Sequence, residues 1–329
     1  MTTWDLPLWP TLFSARLPGG LTQALGPLAE FVEDPRVTDI FVLGQGHVHV
    51  DTGDGVHRVQ GITIAREQAI ELARGLIERG GRHIDEATPM ADVNLGHGLR
   101  VHVVLSPISN QGPLVSIRVA GRQRPALDAL EIENAHLVIP ALLGLIRSHQ
   151  TLLISGATGS GKTTLLTAMM AHADPAERLV VLEDVSEIQI DHPHVVSLET
   201  RQATLEGTGE IGLERLVRES LRMRPNRLII GECRGAEIQQ MLQAFHTGHR
   251  GGATTVHSHS VSEVPVRLDA LGALAGMTPG QLARQAASAI DLVVHVEKTS
   301  TSKRALTFGT LVLTAKGELD VAVVDLASL

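Results

Sequence analysis

Leu152-Leu-Ile-Ser-Gly156-Ala-Thr-Gly-Ser-Gly161-Lys162-Thr163-Thr164 is the stretch that decides the fold. From Gly156 to Thr163 it matches G-x-x-x-x-G-K-[ST] in full. The apolar run before the glycines is typical of a buried strand, and the run after them is typical of a helix. A glycine loop between a strand and a helix directs backbone N–H groups and the positive helix end at phosphates. The stretch therefore predicts a phosphate-binding loop for a nucleoside triphosphate.

Lys162 is the only lysine before Lys298 in a chain that carries 28 lysines and arginines. Lysine is a compact point charge that arginine does not imitate, so its presence here favours phosphate binding over a glycine turn that binds nothing. Thr163 would also supply the hydroxyl ligand for Mg²⁺. The predicted nucleotide contacts come from the loop and the first helical turn: Gly156, Thr158, Gly159, Ser160, Gly161, Lys162, Thr163 and Thr164.

The composition limits the class of protein. The length of 329 residues suits two domains, and 43% hydrophobic with 19% charged residues favours a soluble globular protein. The net charge of -8 and the aromatic content of 2% argue against nucleic-acid binding. Cys233 is the only cysteine, which excludes an intramolecular disulfide and fits a reducing cytoplasm.

The N-terminal arm predicts neither a signal peptide nor a membrane span. Residues 1–10 lack a cationic segment and contain prolines, and no apolar run in the chain is long enough to span a bilayer. Both tryptophans, Trp4 and Trp9, lie in this arm. They could dock on a partner or a membrane, but packing against the protein's own body is favoured.

The first predicted domain, residues 1–120, includes the arm and combines short strands with one amphipathic helix. Apolar residues at helical spacing from Ala69 to Ile77 predict the helix, which Gly80 and Gly81 end. This pattern indicates a small α+β domain, PAS-like in outline. Its strands are predicted at residues 37–43, 47–50, 56–59, 100–105 and 114–119.

From residue 126 the pattern changes to alternating strands and helices, after a predicted linker at residues 121–125. The alternation predicts an α/β domain over residues 126–329, with a mostly parallel sheet covered by helices. Thr278-Pro-Gly-Gln281 predicts a helix capping box. The strands are predicted at 152–155, 179–182, 228–231, 253–256 and 292–296, followed by a hairpin at 305–314 and 319–326.

Carboxylates follow two of the predicted strands. Glu183, Asp184 and Glu187 come after the strand at 179–182, and Glu232 comes after the strand at 228–231. Because ligands of an open α/β sheet bind at the carboxyl ends of its strands, we expect Glu183 and Glu232 to face the phosphates. One carboxylate can hold hydrated Mg²⁺, for which we predict Glu232 together with Thr163, while another polarises the attacking water. Asp184 and Glu187 are equally well explained as helix caps.

Four histidines crowd into one short segment: His246, His249, His257 and His259. They allow a zinc site, a set of surface histidines or a phosphate contact. No cysteine or acid stands at the ligand spacing that zinc requires. We favour a phosphate contact for His257, because the strand at 253–256 delivers it to the sheet edge of Glu183 and Glu232.

Three arginines, Arg215, Arg218 and Arg222, occupy one face of a predicted helix. Glu214 and Glu219 stand at spacings that allow ion pairs with them. A solvated ion-pair face is therefore favoured over a phosphate site.

Together these motifs resemble the type II/type IV secretion ATPase superfamily, most closely its tight-adherence (Tad/Flp) pilus assembly ATPases of the CpaF type. Residues 181–187 are similar to the family's Asp box, 222–235 to its Walker B segment and 247–258 to its His box. Residues 38–40, 81–85 and 112–118 are similar to its N-terminal half. The resemblance covers about residues 35–300.

The resemblance implies a hexameric ring, in which a mobile N-terminal domain closes over ATP and Mg²⁺ bound to a RecA-like domain. Arg100 and Arg118 would reach the γ-phosphate from the N-terminal domain, and Glu183 would prepare the attacking water. The implied function is an ATP-hydrolysing motor for pilus assembly or secretion. It would work in the cytoplasm against a platform protein of the inner membrane. Leu43 and Cys233 depart from the usual family residues without touching this chemistry.

Other functions stay open. A type IV secretion or conjugation ATPase belongs to the same superfamily. A RecA-like nucleic-acid translocase shares the core but is disfavoured by the net charge of -8. A non-hydrolysing nucleotide switch is disfavoured by the two strand-end carboxylates.

Overall fold

The computed structural model describes most of the chain: residues 17–34, 36–53, 55–96, 98–119, 126–201, 208–248, 250–299 and 303–328. The chain divides into two structural units, residues 1–123 (unit one) and residues 124–329 (unit two). The predicted linker and the arm that carries Trp4 and Trp9 lie outside the described residues.

Unit one is an antiparallel sheet with helices, as predicted for an α+β domain. Its described helices are α1 (Gly19–Leu25), α2 (Ala29–Glu33) and α3 (Arg66–Arg79). Its described strands are β1 (Asp39–Val42), β2 (His47–Asp51), β3 (Val56–Thr63), β4 (Met90–Asn94), β5 (Leu99–Val104) and β6 (Leu114–Val119). They form one sheet in the order β3-β2-β1-β6-β5-β4.

Alternation along the strands of unit one separates a core face from a polar face. In β5, Leu99, Val101 and Val103 are fully buried. They belong to one hydrophobic cluster with the apolar stripe of α3. The positions between them are partly exposed, and Arg100 on β5 lies directly opposite Arg118 on β6. Two of the predicted site residues are therefore neighbours on the polar face of this sheet.

Unit two contains a sheet of eight strands within its described residues. They are β7 (Leu152–Gly156), β8 (Leu179–Glu183), β9 (Val195–Glu199), β10 (Arg227–Ile230), β11 (Ala253–His257), β12 (Leu292–Lys298), β13 (Arg304–Leu313) and β14 (Leu319–Val324). The order is β14-β13-β12-β7-β11-β10-β8-β9. Along this spatial order, all neighbouring strands from β12 to the edge strand β9 are parallel. The pairs β12–β13 and β13–β14 are antiparallel. The five predicted strands and the hairpin are confirmed, and β9 is an addition at the edge.

Helices cover both faces of this sheet. They are α4 (Ala135–Arg147), α5 (Lys162–Met170), α6 (Leu213–Ser220), α7 (Ile238–His246), α8 (Val264–Leu274) and α9 (Pro279–Ala289). Successive residues of β7 point to opposite sides: Leu153 belongs to the core with α6–α9, and Ile154 belongs to the core with α4 and α5. Every residue of β7 is buried. A parallel strand that is covered on both faces consists largely of consecutive apolar residues, and this explains why an apolar run precedes the glycine loop.

The predicted capping box is confirmed at the start of α9. The backbone N–H of Gln281 donates to the Thr278 hydroxyl at 3.3 Å, and the backbone N–H of Thr278 donates to the Gln281 side chain at 3.0 Å. Pro279 takes the first helical position, where no N–H is needed.

A buried ion pair lies at the beginning of β10. Arg227 is 1% exposed, and its Nε donates to Glu177 Oε2 at 2.5 Å. Its Nη2 donates to the Ile146 carbonyl at 2.8 Å. His149 Nε2 lies 3.2 Å from Glu177 Oε1. Arg227 is thus fully enclosed and depends on Glu177 to balance its charge.

Candidate nucleotide site

The glycine loop runs from the end of β7 to the start of α5. Gly159 and Gly161 have φ angles of 75° and 93°, a region that side chains with a Cβ avoid. A Cβ on Gly156 would meet the Val296 carbonyl and would lie 2.6 Å from Ser160 Oγ. Glycine is therefore required at these three positions by the backbone itself.

Lys162 occupies the first position of α5 and folds over the loop. Its Nζ donates to the carbonyls of Gly156 at 3.0 Å and Ala157 at 2.7 Å. The residue is 6% exposed. Burial lowers the pKa of Lys162, and the charge of Glu232 partly offsets this effect. The one ammonium group of this region is thus held inside the loop that would wrap the phosphates.

A chain of polar contacts connects the loop with the neighbouring strands. Lys162 Nζ lies 3.1 Å from His257 Nδ1, and His257 Nε2 lies 2.9 Å from Glu232 Oε1. Arg234 Nη2 donates to the other oxygen of Glu232 at 2.6 Å. The contacts arise because β11 pairs with β7 in a register that sets His257 opposite Gly156.

His257 is suited to this position as a neutral imidazole. Burial is the largest influence on its pKa and lowers it, and Lys162 acts in the same direction while Glu232 opposes them. A neutral ring with its proton on Nε2 accepts from Lys162 and faces Glu232 with an N–H. His257 therefore contacts Lys162 on one side and Glu232 on the other.

Glu183 ends β8, next to β10 in the sheet. Its Oε1 accepts the backbone N–H groups of Glu187 at 3.1 Å and Ile188 at 3.0 Å. A Cβ on Gly231 would lie 2.8 Å from Glu183 Cγ, so glycine leaves the space that this side chain fills beside Glu232. Burial, the first cause, raises the pKa of Glu183 to about 7, although the two backbone N–H groups lower it. A carboxyl group of this kind changes its charge near neutrality.

The site residues fit a nucleotide with Mg²⁺. Within the described part of the chain, Ser160 Oγ and Glu232 Oε1 are buried and have no hydrogen-bond partner. His257 Nε2 lies at ion-pair distance from Glu232 Oε1, but the two groups are not aligned for a hydrogen bond. Buried polar atoms normally have partners, so both are suited to ligand groups. The assignment of Thr163 and Glu232 as ligands of the metal stays a prediction.

The other candidates from the sequence are more dispersed. Arg100 Nε lies 3.6 Å from Asp92 and Arg118 Nε lies 3.5 Å from Asp39, both in unit one. Their contact with the γ-phosphate stays a prediction.

The histidine cluster divides in the structure. His246 Nδ1 lies 3.1 Å from Ser288 Oγ, apart from the contacts of His257, and His249 lies outside the described residues. Among the residues that are described, no group of three His, Cys, Asp or Glu side chains could hold a metal ion. In the arginine segment, Arg222 pairs with Glu219 at 2.7 Å, which supports the interpretation as an ion-pair face.

Sequence reasoning missed Arg234 and a pocket beside the loop. The pocket has a volume of about 540 Å³, and its lining includes Ala157, Thr158, His259 and Arg267. The spacing of Glu232 and Arg234, two residues apart after a strand, is the one signal that could have indicated their ion pair.

The chain matches the type II/IV secretion system protein family over residues 22–307. It belongs to this family. It is 40% identical over 311 residues to a putative conjugal transfer protein of Mycobacterium tuberculosis, with 91% of this chain and 87% of the relative covered. It is 33% identical over 301 residues to the conjugal transfer protein TrbB of Rhizobium radiobacter, with 88% of each chain covered.

Two solved structures share the fold. The Legionella pneumophila ATPase DotB matches with a TM-score of 0.60 at 21% identity, over 94% of this chain and 84% of DotB. The pilus retraction motor PilT, solved with ADP, matches with a TM-score of 0.60 at 16% identity, over 90% of this chain and 82% of PilT. The predicted RecA-like fold with a preceding α+β domain is confirmed. No helix of the described residues is long and apolar enough to cross a membrane.

Proposed function

We propose that this protein is a Mg²⁺-dependent ATPase that powers a type IV-like secretion, conjugation or pilus machine. The observation that carries the proposal is the chain of contacts from Lys162 through His257 to Glu232. It connects the phosphate-binding loop after β7 with the carboxylate that follows β10, two strands away in the sheet. A turn that only reverses the chain would not require a buried lysine in contact with these side chains.

Each side chain has a role in the proposed reaction. Lys162 places its charge on the β- and γ-phosphates, where Mg²⁺, when bound, would supply further charge neutralisation. Glu232 and Thr163 would hold this metal. Glu183, whose pKa of about 7 allows it to take up a proton, orients the attacking water. His257 would donate its Nε2–H either to Glu232 or to the terminal phosphate, and so would report the loss of that phosphate to Glu232.

The kind of machine is inferred from relatives and motifs. The two relatives described above are named conjugal transfer proteins, which favours a type IV secretion or conjugation machine. The Tad/Flp pilus assignment is supported by the resemblance of the Asp, Walker B and His boxes. In either case we infer a hexameric ring in the cytoplasm, bound to a platform protein at the inner face of the membrane.

The decisive experiment compares turnover and nucleotide binding in Glu232→Gln. The variant keeps the shape of the side chain and removes the charge, so ATP should still bind while Mg²⁺-dependent phosphate release is lost. Glu219→Gln, which changes an exposed carboxylate on α6, is the matched control and should hydrolyse ATP normally. Unchanged turnover in Glu232→Gln would exclude the proposed role of this residue.

A second measurement separates the classes of machine. The membrane protein that co-purifies with the full chain should belong to a conjugation, secretion or pilus apparatus. Strong stimulation of the ATPase by DNA, without such a partner, would instead favour a nucleic-acid translocase.

A further inference from the structure

Arg304, the first residue of β13, lies against the phosphate-binding loop. A Cβ on Gly161 would lie 2.6 Å from Arg304 Nε and 3.2 Å from Nη2. The guanidinium group therefore occupies the space beside Gly161 that a side chain would need. Gly161 directly precedes Lys162 and the start of α5, so Arg304 brings a second positive charge to the end of the loop.

The backbone of Arg304 is fixed on both sides. Its N–H donates to the Glu131 carbonyl at 2.7 Å, and its carbonyl accepts the N–H of Glu133 at 2.9 Å. On β12, Lys298 is its direct partner in the antiparallel register. The guanidinium is thus presented from a rigid base, which reduces the entropy that a ligand would have to remove.

The Arg304 guanidinium has an unused donor within the described part of the chain. Its Nε is buried and has no hydrogen-bond partner. No described carboxylate lies within ion-pair distance of it, and its cross-strand partner Lys298 is also a cation. Like charges directly opposite each other destabilise a sheet, and a buried donor without a partner is costly. The positive end of α5 adds to the same region. These features together indicate a site for an anion.

We propose that Arg304 is a second phosphate-binding cation, which donates to the phosphates that ATP and ADP have in common. The inference rests on the proposed nucleotide site. The loop cradles the α- and β-phosphates, and Arg304 adjoins its last glycine. A guanidinium fork matches two phosphate oxygens at once, in a way that the single point charge of Lys162 does not. Arg304 would therefore set the affinity for both nucleotides.

The test measures the binding of ADP and of a non-hydrolysable ATP analogue to Arg304→Gln, Arg304→Lys and Lys303→Gln. Arg304→Gln should weaken both nucleotides by a similar factor, about 10- to 100-fold, as expected for a lost hydrogen bond between charged groups. Arg304→Lys should keep part of the affinity because it keeps the charge. Lys303→Gln, next to it and exposed, is the matched control and should bind like the wild type.

Further readouts separate this role from others. ADP affinity should fall less steeply with salt in Arg304→Gln than in the wild type, because one charged contact is gone. Wild-type ADP affinity in Arg304→Gln would overturn the inference and leave the ATPase assignment intact. A loss of affinity confined to the ATP analogue would also overturn it. So would a lower thermal unfolding midpoint of nucleotide-free Arg304→Gln together with an unchanged salt dependence of its ADP affinity, because the residue would then stabilise the fold. Failure of the wild type to bind either nucleotide would overturn the proposed function itself.

Discussion

Glu183 and Glu199 are directly opposite each other in the parallel pair of β8 and β9. Both are carboxylates, and the charge of Glu199 is one of the causes that raise the pKa of Glu183, after burial and together with Glu187. The edge strand β9 thus affects the proposed catalytic group electrostatically. A protonated Glu183 cannot accept a proton from water, so in the proposed mechanism the position of its pKa would control how much of the enzyme is active.

The first prediction is a pH dependence. The rate kcat/KM should rise with pH through about 7, because the ionised form of Glu183 is the active one. In Glu199→Gln this rise should move to lower pH, since a repelling charge has been removed. The pH profile of ATP hydrolysis measures both. An identical profile in Glu199→Gln would contradict the coupling, and Glu219→Gln serves as the control for a distant carboxylate.

The second prediction concerns Lys162. Lys162→Ala should lower turnover by at least ~100-fold, because it removes the charge that stabilises the phosphates during transfer. Lys162→Arg should not restore activity, since the larger planar group does not fit among the loop carbonyls. Steady-state phosphate release is the measurement, and near-normal release by Lys162→Ala would refute the assignment of the loop.

The third prediction concerns Arg100 and Arg118. We expect the double variant with alanine at both positions to bind ADP normally and to bind an ATP analogue more weakly, because ADP has no γ-phosphate. Turnover should fall with the affinity for the analogue. If ADP and the analogue lose affinity equally, the arginines act through their ion pairs with Asp92 and Asp39 and stabilise unit one.

The fourth prediction concerns stability. Glu177→Gln should lower the free energy of unfolding by about 3–5 kcal/mol, because it leaves the charge of the enclosed Arg227 without a partner. Glu219→Gln breaks the exposed pair with Arg222 and should cost at most about 1 kcal/mol. Urea denaturation of the two variants checks the contrast. Equal effects would mean that Arg227 is balanced by its carbonyl contacts alone.

Much of the fold could be predicted from local pattern. The strand before Gly156 is an uninterrupted apolar run because both faces of β7 are covered, and such runs are distinctive. The strands β4 and β9 were missed for the opposite reason. In β4 the alternation is short and buries only Ala91 and Val93, and β9 has no fully buried residue, so neither segment has a distinctive apolar run.

The residues of the site could be predicted from the sequence, but the contacts between them could not. Gly156 to Thr163 follow from the loop motif, and Glu183, Glu232 and His257 follow from their positions after strands. The approach of His257 to Lys162 joins residues 95 positions apart and depends on the register of β11 with β7. The contact of Arg304 with Gly161 likewise depends on how β13 pairs with β12, which local pattern does not specify.

The distribution of lysine allows opening of the phosphate-binding loop to be measured by limited proteolysis. A lysine-specific endoprotease can cut only one peptide bond before Lys298, the bond after Lys162. That bond lies at the start of α5, and Lys162 is 6% exposed, so cleavage requires local opening of the loop. The rate at which the corresponding fragment forms therefore measures how often the loop opens. We expect it to fall when a ligand closes the loop, with no label introduced anywhere in the chain.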